Sequence, residues 1–163
     1  MKLQILDKDC SDRLNNRLAD ELYASYFYRS ASNYCRMVGF EGGAKFFHEE
    51  SEQELTHAKR LEDYITDWNC LPDLKNIQKP VTFTGLPDII NQSYQLELNL
   101  YDAYNTDALA ILDEESGLFT FLQEFMKIQD ESVREYSTYV NQLEIIGSDK
   151  FALYYWDKEV LGK

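Results

Sequence analysis

Four long stretches of this sequence place seam residues at alternating spacings of four and three. Between the second and third stretches lies a segment with no helical period, Leu71–Gly85 (LPDLKNIQKPVTFTG). That pattern predicts four amphipathic helices packed as a bundle. The first runs from about Asp9 to Val38 and stops at Gly39, a glycine suited to closing a helix. The second runs from about Gly42 to Asn69, with Pro72 beyond it. The third starts near Leu86, with Pro87 in its first turn, and ends near Asp113. After Glu-Glu-Ser-Gly, the fourth covers about Leu118 to Ile146 and is closed by Gly147. A short fifth helix is expected at about 150–161. It is apolar, and too short to hold its shape without docking. Residues 1–163 are therefore expected to form one all-α domain, with the bundle at about 9–146.

Connection lengths set the topology. Short links make the first two helices antiparallel, and likewise the last two of the four. The central link of about 15 residues spans roughly 50 Å when extended. A helix of about 28 residues is roughly 42 Å long. The link can therefore run the length of the bundle, which makes the second and third helices parallel. A structureless connection of that length is otherwise unusual in a compact domain.

The seams carry chemistry at their centres. The first reads Leu14, Leu18, Glu21, Ser25, Tyr28, Ser32, Cys35. The second reads Phe47, Glu50, Glu54, His57, Leu61, Tyr64, Trp68. The third includes Ile90, Glu97, Leu100, Tyr104 and Ile111. The fourth includes Leu118, Leu122, Phe125, Gln129, Ser132, Tyr136 and Leu143. Glu21, Glu54, His57, Glu97 and Gln129 each fall near mid-helix, so they meet at one height whichever way each helix points. Ionised carboxylates buried without partners cost several kcal/mol each. No lysine or arginine lies beside them on the seams, and a bound cation is the simplest compensation. Glu54 and His57, three apart, share a helix face. His48, nine residues before His57, points to the opposite side and is given no role.

Dinuclear carboxylate bundles use Glu on two helices and Glu-x-x-His on the other two. Here the second helix has Glu54-x-x-His57, but the fourth has Gln129-x-x-Ser132. One metal position would have Glu21, Glu54 and His57. The other would have Glu54 as a bridge, Glu97 and the weak ligand Gln129. Iron, zinc and manganese all suit such donors.

Composition narrows the setting. The net charge of −13 argues against non-specific nucleic-acid binding. It attracts cations, and it equally serves solubility. No apolar run approaches the roughly 20 residues that span a membrane. The start, MKLQILDKD, has no apolar core of a secretory signal. Three widely spaced cysteines (Cys10, Cys35, Cys70) suggest no disulfide framework and suit a reducing cytoplasm.

Taken together, LADELYASYFY (Leu18–Tyr28), FEGGAKFF (Phe40–Phe47), EQELTHAKRLEDYI (Glu52–Ile65), YQLEL around Glu97, FLQEF and KIQDE around Gln129, and LYYWDKE (Leu153–Glu159) resemble the non-haem bacterial ferritins. The resemblance covers nearly the whole chain. It implies a homo-oligomeric shell of 24 subunits. It also implies oxidation of Fe(II) by O2 or peroxide at a dinuclear iron centre, with ferric mineral stored inside. The family's centre falls on Glu21, Glu54, His57, Glu97 and Gln129, and its neighbouring tyrosine on Tyr28. Positions that supply a third iron site in relatives hold Gln53, Ile128, Glu131 and Ser132, of which only Glu131 retains a carboxylate. Glu50 is a candidate substitute ligand, and Glu124 a further residue that could face the site. The short fifth helix packs either on its own bundle or, by resemblance, at a four-fold axis. Asp113, Glu114 and Glu115 form an acidic turn suited to a cation entry pore.

Three other readings fit less well. A di-iron oxygenase or peroxidase that keeps its metals favours the second Glu-x-x-His that is missing here. A haem-binding bacterioferritin would have methionine where Leu55 stands and histidine where Ser132 stands, so no haem is expected. A shell subunit without chemistry would not retain Glu21, Glu54, His57 and Glu97.

Overall fold

The computed structural model describes residues 6–163. The reading of the N-terminus as no secretory signal rests partly on residues 1–5, which lie outside the described residues. The chain is an all-α four-helix bundle with a short C-terminal helix: α1 Lys8–Val38, α2 Glu41–Asp67, α3 Leu86–Ile111, α4 Ser116–Ile146 and α5 Lys150–Trp156. The α5 helix continues into one wider π turn, Asp157–Leu161. The ends follow the signals in the sequence. Asp7 accepts the Cys10 backbone N–H at 2.7 Å and caps α1, which closes on Gly39 at a left-handed φ of 93°.

Contacts between helices fix their directions. Ser25 on α1 meets Ser51 on α2, and Ser32 bonds the Ala44 carbonyl. Tyr28 and Glu21 on α1 meet Glu97 and Tyr104 on α3. In both pairs one number rises as the other falls, so α1 is antiparallel to α2 and to α3. The latter two are therefore parallel, as the long connection requires. The connection lies along α1: the Asp73 N–H bonds the Asn15 side chain at 2.8 Å, and the Phe83 ring packs edge-on against Phe27 and Tyr34. From Asn15 to Tyr34 is roughly 28 Å of helix.

The expected seams are the core. Leu14, Leu18, Phe47, Leu61, Ile90, Tyr104, Ile111, Leu122, Phe125 and Tyr136 are all buried. Asp113 and Glu114 at the α3–α4 turn are exposed.

The C-terminal segment docks on its own bundle. Asp157 is fully buried, and its carboxylate accepts the backbone N–H groups of Gly42 (3.0 Å) and Gly43 (2.6 Å) at the start of α2. These are among the N–H groups that a helix cannot satisfy itself, and they sit at its positive end. Trp156 donates its indole N–H to Gln142 at 2.7 Å. The opposite face, with Phe151, Tyr154 and Tyr155, is exposed. Glycine at 42 is obligatory for this contact, because a Cβ there would lie 2.0 Å from the Asp157 carbonyl oxygen.

Gly42→Ala is therefore expected to cost on the order of 2 kcal/mol and to lower Tm by roughly 4–8 °C. Gly117→Ala, where a Cβ meets open space, serves as control and is expected to leave Tm unchanged or slightly raised. Thermal melts of the two variants check this; equal melting of G42A and G117A would contradict the docking.

Candidate metal centre

Four helices deliver polar side chains to the middle of this apolar bundle. On α2, Glu54 and His57 share a face as their spacing requires, with His57 Nδ1 2.8 Å from Glu54 Oε2. Across the seam, Glu21 of α1 brings Oε2 to 3.7 Å from the same nitrogen. One donor atom from each of the three lies within 4.8 Å of the others. Glu21 and Glu97 are fully buried, and Glu54 nearly so. The α4 residue Gln129 is fully buried too.

Two tyrosines orient the carboxylates in a crossed pair. Tyr28 of α1 donates to Glu97 Oε1 of α3, and Tyr104 of α3 donates to Glu21 Oε1 of α1. Each glutamate keeps its other oxygen, Oε2, buried and without a hydrogen-bond partner; both polar atoms of the Gln129 amide are likewise unpartnered. Buried polar atoms are rarely left so. The carboxylate oxygens of Glu21 and Glu54 beside the His57 imidazole are a donor set that fits an iron-class cation.

The Tyr104 role was not read from the sequence, although a signal was there. Tyr28 follows Glu21 by seven residues, and Tyr104 follows Glu97 by the same interval. In two antiparallel helices, that shared spacing lets each tyrosine reach the other helix's glutamate. Tyr104 also stacks on Phe125 (centroids 5.1 Å apart), whose ring meets the edge of His57.

Other sequence candidates stand outside the Glu21–Glu54–His57 group. Glu50 is half-buried and accepts the Tyr136 hydroxyl at 3.0 Å. Glu131 is exposed. Glu124 does not turn inward: it is exposed and pairs with Arg60, whose guanidinium lies over Phe125. Gln53 and His48 are exposed.

Electrostatics follow from burial. Burial raises Glu54 well above the usual carboxylate range, and the nearby Glu21 and Glu97 charges push it further. Burial lifts Glu97 to about 8, against the opposing hydrogen bond from Tyr28, and lifts Glu50 to about 7. Burial also pushes Glu21 upward, but the neighbouring His57 and Glu54 and the Tyr104 hydroxyl outweigh it and hold Glu21 below its ordinary value. In the metal-free protein, burial thus favours the protonated form of Glu54, Glu97 and Glu50, while Glu21 is shifted the other way.

A family model described as Ferritin, ferritin-like domain, matches residues 11–146. The chain belongs to the ferritin family. It is similar to the bacterial non-heme ferritin of Escherichia coli O157:H7, 29% identical over 158 residues covering 96% of each chain. It is also similar to that of Staphylococcus aureus strain USA300, 27% identical over 96% of this chain and 95% of the other. Among solved structures, an open pore ferritin from the archaeon Archaeoglobus fulgidus shares the fold. Its TM-score is 0.91 at 23% identity, over 97% of this chain and 99% of that one.

The raised carboxyls give a pH signature. Folded Glu50 and Glu97 keep protons up to about 7 and about 8, whereas their ordinary value is 4.5. Between those limits the folded state binds more protons than the unfolded chain, so stability falls as pH rises. Glu21 acts in the opposite sense, but only at acid pH, below its ordinary range. The metal-free protein is expected to melt lower at pH 8 than at pH 5, with the slope reduced in Glu97→Gln. Added Zn(II) is expected to displace the protons and to raise Tm most at the alkaline end. Scanning calorimetry across this range, with and without Zn(II), checks it; a flat metal-free profile would contradict the assignment.

Proposed function

We propose that this chain is the subunit of a cytoplasmic iron-storage ferritin, a homo-oligomer of 24 copies whose single domain carries its own ferroxidase centre. The observation that carries this reading is the Glu21–Glu54–His57 group, two buried carboxyls and a half-buried imidazole within reach of one ion, in a core that also holds the unpartnered Oε2 of Glu97 and the unpartnered Gln129 amide.

In this reading Fe(II) is the substrate. Glu21, Glu54 and His57 bind one ion. Glu54 also reaches the second ion, which takes Glu97 and, more weakly, Gln129. Tyr28 and Tyr104 fix the carboxylate that each one bonds, so that the free oxygen faces the cation without further rearrangement. His57 can bind as a neutral imidazole, while the protons held by Glu54 and Glu97 leave as cations enter. O2 or peroxide accepts the electrons, and the ferric product passes to mineral in the shell interior. The wall of the site, with Phe125 and Tyr104 stacked beside His57, keeps bulk water away from it.

The centre releases what it oxidises because its second position is poorly furnished. Gln129 is neutral, and Ser132 stands where a second imidazole would complete a Glu-x-x-His pair. Neutral donors hold a ferric ion less firmly than a carboxylate–imidazole pair does.

Glu54→Ala is expected to lose rapid aerobic Fe(II) oxidation while still assembling. Native mass measurement, with and without aerobic Fe(II), together with stopped-flow absorbance, checks both halves; an E54A protein oxidising iron at the parental rate would overturn the site. Ser132→His is expected to tighten the second position and to slow repeated iron turnover. Isothermal titration and multiple-turnover oxidation test this, and unchanged turnover would remove the asymmetry argument.

A further inference from the structure

Glu21 is held by Tyr104, and Tyr104 is held in turn. Its ring stacks on Phe125, with centroids 5.1 Å apart, and the guanidinium carbon of Arg17 lies over it, 5.9 Å from the centroid. Arg17 stands one turn before Glu21 on α1, and Asp107 one turn after Tyr104 on α3. Because these helices are antiparallel, the two meet one turn beyond the Tyr104–Glu21 bond. Arg17 Nε lies 3.4 Å from Asp107 Oδ2. With Tyr28–Glu97 and Tyr104–Glu21, the pair makes a third polar rung between α1 and α3.

An ion pair at such a place usually reads as a brace for the fold. This one is poorly built for that. Its side chains are only 13% and 9% exposed, and at that depth the loss of hydration offsets much of the attraction. Asp107 makes its better contact with another arginine, Arg13, at 3.0 Å. Arg17 Nε and Asp107 Oδ2 are both buried, and neither makes a hydrogen bond. Buried polar atoms are rarely left so. Arg17 therefore does not sit where it would bond Asp107 best. Asp20, one turn along α1, holds its Nη2 at 3.0 Å, and the compromise leaves the guanidinium over the Tyr104 ring. A cation there is attracted to the face of the ring. It also draws electron density from the phenol and makes the hydroxyl a stronger donor. The other crossed tyrosine is held differently, because Tyr28 stacks on the uncharged rings of Phe47 and Tyr136.

We infer that Arg17 is a positioning residue for the Glu21–Glu54–His57 position. Anchored by Asp107 and Asp20, it fixes the Tyr104 ring so that the hydroxyl holds Glu21 Oε1 and leaves Oε2 beside His57. The inference deepens the ferroxidase reading and rests on its assignment of Glu21 as a ligand. The first ion meets a carboxylate whose tyrosine is steered by a charge. The second meets one whose tyrosine is steered by packing. Removing a group that orients a metal-binding side chain commonly lowers affinity by roughly 10–100-fold.

Calorimetric titration of Zn(II) into the metal-free protein tests this. Arg17→Gln is expected to weaken the first equivalent by roughly tenfold and to leave the second unchanged. Loss of a positive charge near Glu21 would by itself favour cation binding, so a weakening marks positioning. Arg13 still bonds Asp107 in that variant, so no carboxylate is stranded. Asp107→Asn frees the guanidinium from the other helix and is expected to weaken the same equivalent, which keeps the inference testable should Arg17→Gln fold poorly. Tyr104→Phe keeps the ring and removes the hydroxyl. In that background, Arg17→Gln is expected to cost no further affinity. Equal losses with and without the hydroxyl, equal losses at both equivalents, or a first equivalent as tight as the parent's in both single variants overturn the inference. Glu21→Gln separates the two readings. If it leaves the first equivalent intact, the site assignment falls and the inference with it. If it weakens that equivalent while Arg17→Gln and Asp107→Asn do not, only the inference falls. A protein that shows the expected Zn(II) pattern but oxidises no iron loses only the ferroxidase activity.

Discussion

The structure is organised around buried carboxylates that, among the described residues, pair with no lysine or arginine. Glu21, Glu54 and Glu97 sit almost without exposure in the middle of a helical bundle. In such a place the charged form is strongly disfavoured. The fold answers in two ways. Burial favours the protonated form of part of the set, Glu54 and Glu97. Phenols from opposing helices hold one oxygen each of Glu21 and Glu97. Neither device neutralises the group completely, and the atoms left over are those that a cation would take. The antiparallel pairing of α1 with α3 is what lets the two phenols reach across to these carboxyls.

Period and spacing made most of this legible. A helix turns by about 100° per residue, so the seam through Glu54 also named Phe47, His57 and Leu61, and His48 fell on the far side. The seams also placed Glu21, Glu97 and Gln129 in the core, where all three are buried. The length of Leu71–Gly85 was enough to predict a connection that runs along the bundle.

What period cannot supply is the relative register of two helices and the depth of a residue at a seam's margin. Tyr104 was on its seam, but its partner lies on α1. Only the shared seven-residue interval hinted at the crossed pair. Glu124 and Glu131 belong to the same helix as Gln129, yet both are exposed, and Arg60 draws Glu124 outward. The contact between Asp157 and Gly42–Gly43 was beyond reach in a different way. It joins a side chain to backbone N–H groups more than a hundred positions away, and backbone donors leave no mark in a sequence except the absence of a side chain.

That last contact has a consequence for the order in which the molecule is completed. The start of α2 and Asp157 are 115 residues apart in the chain. At roughly 5–20 residues per second of synthesis, the α2 amides emerge about 6–23 s before their acceptor exists. During that interval the four-helix core can gather, but one end of α2 stays open to water. Final closure belongs to the whole chain rather than to the bundle. A polypeptide cut short just after α4 would hold every metal-binding residue of the candidate centre and still lack the group that seals the helix bearing Glu54 and His57.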